Sequence, residues 1–362
     1  MQKKIIALAV AGLVSGAAFA QSNVTLYGIV DMGYQYSWDN NLDHAKSKSE
    51  VKSGGLDGSR VGVKGVEDLG NGLSAKFDAT WSFDSDWASA VKMGEGSSVS
   101  LAGKSWGEVR AGYFGSFLDD NTGVDASGRH GMINTGSLYG TGKYENFVAY
   151  YSPNFSGFQF KAGFSSNVGG PDVVPLDYLD GGKINTRAYT AMAAYENGPL
   201  KAGVAYASYQ PQDISDNPDK TRSGYDWNAG IAYNFGVATV SLFGAQQKAG
   251  DGYLPNDNYL GQAVPSVLNA DNYNKKTFWA LGANAAVGAN GTIKVGYGQA
   301  KISSVVDGNK DLTGTAWDIV YLHSLSKRTT AYAMYGNLGG DVDKLDDGTY
   351  QQAINFGIRH TF

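Results

Sequence analysis

Charged residues alternate with apolar residues in two short segments of the sequence. In "SRVGVKGVE" the valines take one face of an extended chain, which leaves Arg60 and Lys64 on the other. In "GEVRAGY" Glu108 and Arg110 alternate in the same way. Such fixed charges attract and orient ions in water, whereas an Arg or Lys facing lipid at the bilayer midplane costs ~2–4 kcal/mol. The same alternation, or parity, of residues along extended segments places further charged residues on the polar face: Asp31, Lys76, Asp78, Lys161, Lys201, Asp226, Lys294, Asp318 and Arg359.

The long segment "GSFLDDNTGVDASGRHGMINTGSLYGTGK" is predominantly acidic. It carries Asp119, Asp120 and Asp125, and its fixed cations are Arg129 and Lys143. Folded inward, the aspartates would stand opposite the basic side chains of the alternating segments and would create a transverse field. The alternative is that they form a solvated surface loop.

Residue patterns for catalysis or metal binding are weak in this chain. Cys is absent, no G-x-S-x-G or P-loop motif occurs, and the scattered histidines lack metal-ligand spacing. The acidic segment "GGDVDKLDDG" lacks the Glu at position 12 of a calcium loop and is interpreted as a solvated loop. We therefore predict no enzymatic activity, no cofactor and no metal.

The elements that must position these charges are long alternating strands. In "GLSAKFDATWSFD", residues 72–84, apolar and polar residues alternate without interruption. This length exceeds the ~5–6 residues of a usual soluble strand and suits a tilted membrane strand of ~9–11 residues. Alternation alone also fits a soluble β-sandwich, so the connections have to decide.

Sixteen candidate strands can be placed between residues 23 and 362, and their connections alternate strictly between seven short turns and eight long loops. All turns therefore lie at one end of the sheet and all loops at the other. An even number of strands also lets the first and last strands pair and remove the sheet edges. The sequence thus predicts an all-β, sixteen-stranded antiparallel transmembrane β-barrel with short periplasmic turns and long extracellular loops.

The N-terminus predicts export. Residues 1–20 combine two lysines, a short apolar run and an A-x-A ending, which is typical of a signal peptide cleaved near Ala20, so residues 21–362 form the barrel domain. The formal net charge of −5, without a basic cluster, argues against nucleic acid as a partner.

Six segments in order resemble the general diffusion porins of β-proteobacteria: "VTLYGIVDMGYQY", "SRVGVKGVEDLGNGLSAKFDATWSF", "YYSPNFSGFQFKAGF", "YENGPLKAGVAY", "LSKRTTAYAMYGN" and "FGIRHTF". The resemblance covers nearly the whole mature chain. It implies an outer-membrane channel for passive diffusion of ions and small hydrophilic solutes, a homotrimer in outer-membrane lipid, and a third loop that folds into the barrel. It also implies that a second loop containing Trp87 latches onto the neighbouring barrel.

Pore residues follow from parity and resemblance together. The expected pore-lining and constriction residues are Arg60, Lys64, Lys76, Arg110, Asp119, Asp120, Asp125 and Arg129. The sequence departs from the family where Ser97 and Ala149 stand at positions that are usually Arg. The basic ladder of the wall is thinned there, so the ion selectivity stays open, as do pore radius and native solutes.

The C-terminal segment "QQAINFGIRHTF" predicts a closing strand. Phe356, Ile358 and Phe362 share one parity with His360 and are expected to face lipid or the interface and to support barrel assembly and closure. Two alternatives to a general channel remain open: a substrate-selective channel, for example for oligosaccharides, and a surface adhesin on a barrel scaffold. A barrel enzyme would need converging catalytic groups at the rim, and His360 has no evident partner.

Overall fold

The computed structural model describes residues 23–39, 47–87, 91–128, 138–139, 141–168, 184–213, 223–248, 273–304, 310–341 and 350–362. The signal-peptide prediction lies outside these residues. No helix within them is long and apolar enough to cross a membrane.

The described residues form one antiparallel sheet and one short helix. The strands are β1 (Asn23–Trp38), β2 (Ser47–Ser53), β3 (Arg60–Gly70), β4 (Leu73–Ser82), β5 (Lys92–Gly103), β6 (Gly107–Gly115), β7 (Lys143–Tyr151), β8 (Phe158–Ser165), β9 (Ile184–Asn197), β10 (Leu200–Asp213), β11 (Gly224–Asn234), β12 (Ala238–Lys248), β13 (Tyr273–Val287), β14 (Gly291–Ser304), β15 (Leu312–Ser324), β16 (Thr329–Gly340) and β17 (Gln352–Thr361). The helix α1 (Phe117–Thr122) follows β6.

The sheet closes into a barrel of sixteen positions, which confirms the predicted fold. Each strand from β3 to β17 pairs with the next, and β17 pairs with β1 from Ile29↔Thr361 to Trp38↔Gln352. The seventeenth strand, β2, takes no position of its own, because β2 and β3 lie one after the other along the same side of β1. The first long loop, expected at 37–57, therefore contains a strand over much of its second half.

The outer and inner faces of the barrel have opposite character. Large apolar side chains are exposed on the outside along the alternating strands, for example Phe77, Val99, Val109, Ile231 and Leu281. The neighbours of Phe77, Val99 and Val109 are polar or charged and lie inside, whereas the neighbours of Ile231 and Leu281 are Gly and Ala. This division matches the two-solvent pattern of the sequence, with an apolar face towards lipid and a polar face towards water.

The C-terminal residue completes the seam between the first and last strands. Phe362 donates its backbone N–H to the Gly28 carbonyl, and Gly28 donates to the Phe362 carbonyl, both at 3.1 Å. Phe356, Ile358 and Phe362 are exposed on the outer face, as parity predicted. His360, on the same row, has Nδ1 2.9 Å from the Thr329 hydroxyl oxygen, which gives this outward polar residue a hydrogen-bond partner.

The break between β2 and β3 turns into the barrel and is held by a buried carboxylate. Asp31 is fully buried and accepts hydrogen bonds from the backbone N–H of Leu56 (3.1 Å), the backbone N–H of Asp57 (2.8 Å) and the Tyr332 hydroxyl (2.7 Å). Gly54 has a φ of 75°, which glycine adopts without strain, and it starts the turn. Asp31 thus connects the segment between β2 and β3 to Tyr332 of β16, on the other side of the seam between β1 and β17.

We expect Asp31→Ala to lower the thermal stability of the barrel, because it leaves three hydrogen-bond donors without their acceptor. The loss for such buried groups is about 1–3 kcal/mol. The heat-modifiable mobility of the protein in detergent gels measures it. Asp311→Ala is the matched control, since Asp311 accepts from Ser304 N at the loop end and not at the seam. An Asp31→Ala protein that unfolds at the wild-type temperature would contradict this role.

Candidate functional site

Charged side chains line the inner wall of strands β1, β3, β4 and β6. Lys76 Nζ lies 2.6 Å from Glu108 Oε2, and Arg110 donates from Nε to the Ser98 hydroxyl at 2.8 Å. Lys64 Nζ lies 4.9 Å from the centre of the Tyr27 ring, a cation–π distance. These inward positions agree with the parity argument for Lys64, Lys76 and Arg110.

A cavity of about 750 Å³ opens beside this wall, at the end of the barrel that carries the short turns. Lys76, Glu108, Arg110 and Tyr151 line it together with turn residues. These charged groups therefore border a cavity that is large enough to hold a small solute.

The connection between β6 and β7, called the third loop here, lies against the inner wall across from these strands. Ser116 caps α1 by accepting from the Asp119 N–H at 3.2 Å, and Phe117 and Leu118 are buried. The described parts of the loop are then bonded to inward side chains of three strands. Asn121 donates to Asn228 Oδ1 (2.8 Å), Ala126 N–H donates to Ser241 Oγ (2.7 Å), and Asn284 donates to the Ala126 carbonyl (2.9 Å).

The three aspartates of the loop occupy different environments. Asp120 is exposed and forms an ion pair with Lys161 at 2.8 Å. Asp119 accepts from the Thr141 hydroxyl at 2.5 Å. Asp125 is only 7 % exposed and accepts from Ser127 Oγ of the loop at 2.9 Å and from Ser241 Oγ of the wall at 3.4 Å, so it contacts protein more than water. Arg129 lies outside the described residues.

Arg60 does not stand alone on the wall. Its Nη1 lies 2.9 Å from Asp57 Oδ1, and Arg359 Nη1 lies 3.4 Å from Asp57 Oδ2. Parity placed both arginines inside, but it did not indicate Asp57. This carboxylate falls within the predicted first loop, and the signal that could have located it is the glycine-rich "SGGLDG" that interrupts the strand.

The register shows which of the two serines in β5 faces the lumen. Ser98 pairs with Asp78 and contacts Arg110, so Ser98 faces inward, whereas Ser97 shares the outward face with Ala79 and Tyr113. Ser98 of β5 is therefore the neutral inward residue beside Arg110. Ala149 does lie opposite Arg110, as expected for an inward residue, and it is buried.

Inward aromatic residues are more numerous than the sequence indicated. Eight are buried around the third loop: Phe114, Phe117, Tyr139, Tyr144, Phe147, Tyr209, Phe243 and Phe278. Each is at most 4 % exposed, so these rings pack against one another and offer no stacking surface to a sugar. They support the loop mechanically rather than forming a track for oligosaccharides.

Comparisons with known proteins agree with this geometry over the whole chain. The family model described as Gram-negative porin matches residues 7–343. The chain is 31 % identical to outer membrane porin protein 32 of Delftia acidovorans and 28 % identical to an outer membrane porin protein of Bordetella pertussis, in both cases over the full length of both chains.

A solved structure has the same fold. An anion-selective porin from Comamonas acidovorans superposes with a TM-score of 0.72 at 27 % identity, covering 94 % of this chain and all of that one. Family, relatives and fold together show that this chain belongs to the Gram-negative porin family, whose members are outer-membrane channels for passive diffusion and not enzymes.

Proposed function

We propose that the third loop narrows this outer-membrane channel and that the charges around it set a modest preference for anions. The observation that carries the proposal is the set of hydrogen bonds from the loop to the inward side chains of Asn228, Ser241 and Asn284. A loop held in this way occupies part of the lumen. Solutes then pass between the loop and the wall that carries Arg60, Lys64, Lys76 and Arg110.

The sign of the preference follows from which charges are compensated. Three carboxylates neutralise wall cations in ion pairs, namely Glu108 with Lys76, Asp120 with Lys161, and Asp57 with Arg60 and Arg359. Within the described part of the chain, the ion pairs closer than 4 Å do not include Lys64 or Arg110. Two cations outside these ion pairs, in a low-dielectric wall, raise the local anion concentration. The anion-selective Comamonas relative supports the same sign.

Replacing Arg60 and Arg110 with alanine is expected to shift the reversal potential towards cations in planar-bilayer recordings under a potassium chloride gradient. Arg110→Ala alone should produce the larger part of the shift, because Asp57 already compensates Arg60. A change of about twofold in the permeability ratio is expected for a charge in such a wall.

The control for this test is the pair of substitutions Lys275→Ala and Lys301→Ala. Both lysines are exposed near the long-loop ends of their strands, so this variant loses the same formal charge away from the proposed narrow region. An Arg60→Ala/Arg110→Ala channel with the reversal potential of the control would overturn the proposed selectivity.

Assembly as a homotrimer, with the short turns in the periplasm, is part of the same proposal. It is supported by the family membership and by Trp87, which is 67 % exposed near the end of β4 and is available to a neighbouring barrel. Three equal conductance steps per insertion are expected for a trimer of open pores, and single steps throughout would contradict it. Cleavage of residues 1–20 predicts a mature protein that begins at Gln21 in N-terminal sequencing.

A further inference from the structure

The break between β2 and β3 brings a second segment into the lumen, on the side away from the third loop. Leu56 is 4 % exposed and packs with the inward residues Val320, Tyr332 and Met334 of β15 and β16. The backbone N–H groups of Leu56 and Asp57 are bonded to Asp31 on β1. The segment is therefore anchored on both sides, and the position of the Asp57 side chain is determined by the fold.

Asp57 lies between two guanidinium groups. One carboxylate oxygen is 2.9 Å from Arg60 Nη1 and the other is 3.4 Å from Arg359 Nη1. The side chains of all three residues are between 26 % and 28 % exposed, so water in the lumen reaches them. Two arginines that each contact one oxygen of the same carboxylate are a common arrangement for recognition of a carboxylate ligand.

Arg359 has capacity for a further contact. Its side chain is 28 % exposed, and its only ion pair among the described residues is the longer of the two contacts with Asp57. Lys294 lies within electrostatic range of Arg359, and also of the carboxylates of Asp125 and Asp318. Within the cluster itself, the one carboxylate of Asp57 faces two guanidinium groups, which leaves a net charge of +1.

We propose that Arg60 and Arg359 form a binding site for small carboxylate solutes in the channel wall, and that Asp57 occupies this site intramolecularly and thereby determines how strongly the pore prefers anions. This rests on the proposed selectivity of the lumen charges. With Asp57 in place the two arginines retain only one net positive charge between them. Without it they attract anions from the lumen, and a dicarboxylate can bridge them.

The test compares Asp57→Asn with wild type in planar bilayers under a potassium chloride gradient. The chloride-to-potassium permeability ratio should rise by about twofold or more, since a charge in a low-dielectric cleft changes local ion concentrations by up to roughly tenfold. Asp311→Asn is the matched control, because Asp311 is paired with Lys301 at a loop end and has the same change of charge. A ratio for Asp57→Asn no higher than that of the control would overturn the proposal.

Two further measurements separate a specific site from a general change of charge. The double variant Asp57→Asn/Arg359→Gln should return the permeability ratio to near the wild-type value. Millimolar succinate should reduce the chloride current of Asp57→Asn and leave the wild-type current and that of the double variant unchanged. Equal block in all three channels would show that no carboxylate site is present.

If Asp57→Asn does not fold, the proposal is tested with Arg359→Gln, which retains the contact of Asp57 with Arg60. Its reversal potential should shift towards cations by more than that of Arg328→Gln, which removes a charge from the turn between β15 and β16. Equal shifts would reject the site. A normal response to Arg110→Ala in the same recordings would show that the proposed selectivity still holds when this site fails.

Discussion

Deletion of Phe362 is expected to destabilise the closed barrel by ~1–3 kcal/mol and to reduce the amount of folded protein in the outer membrane. The deletion removes both backbone hydrogen bonds between Phe362 and Gly28, which lie at the seam where the sheet closes. An unpaired backbone group facing lipid costs several kcal/mol, and even a net loss of ~1–3 kcal/mol lowers the folded-to-unfolded ratio roughly five- to a hundredfold. Immunoblots of outer-membrane fractions, with unheated samples to identify folded protein, measure this loss.

The variant Phe362→Leu separates the backbone from the aromatic ring. It keeps the two seam hydrogen bonds and an apolar outward side chain, so it should assemble better than the deletion. Channels that do form from the deleted chain should conduct like wild type, because the residue lies on the outer face. Normal amounts of folded protein without Phe362 would show that the terminal residue is dispensable for closure and assembly.

The barrel could be predicted because its main signal is local. Two solvents on the two faces of one strand impose a period of two on the sequence, and this period is unbroken in strands such as β4. The segment predicted at 72–84 is the strand Leu73–Ser82, and the charged residues assigned to the lumen from parity are inside wherever their contacts are described. The order of short turns and long loops then determined how the strands connect.

The parts that were missed depend on contacts between distant segments. The strand β2 reads "SKSEVKS", which is polar on both faces, so its sequence has no membrane-like alternation. Asp57 becomes a partner of Arg359 only because the chain breaks after β2 and turns inward. These residues are 302 positions apart in the chain, and no local pattern connects them.

The burial of the inward aromatic residues also could not be predicted from local sequence, because it depends on packing against the third loop. On an inner wall that met only water, the rings of Phe147 and Phe243 would gain nothing from burial. The third loop changes this by covering that part of the wall, so that both rings are 1 % exposed inside the barrel. Asp125, expected as a charge in the lumen, is buried by the same loop packing.

Asn228→Ala is expected to release the third loop from the wall and to increase both the single-channel conductance and the current noise. The Asn228 side chain is fully buried and makes three contacts, all with the loop. It accepts from Asn121 Nδ2 (2.8 Å) and donates to the Leu118 carbonyl (2.9 Å) and the Tyr139 hydroxyl (3.0 Å). Losing them costs about 1–3 kcal/mol, which raises the population of an undocked loop by roughly five- to a hundredfold.

The melting temperature of the barrel should change little in Asn228→Ala, because the backbone hydrogen bonds of β10, β11 and β12 do not involve the side chain. Thr190→Val is the matched control: Thr190 is buried on the inner wall, but its hydroxyl donates to Tyr206 O of the neighbouring strand and not to the loop. Adding Asn121→Ala to Asn228→Ala should change the conductance little further, since the two residues share one hydrogen bond. A large additional effect, or wild-type conductance and noise in Asn228→Ala, would mean that the loop is held in the lumen by its apolar packing alone.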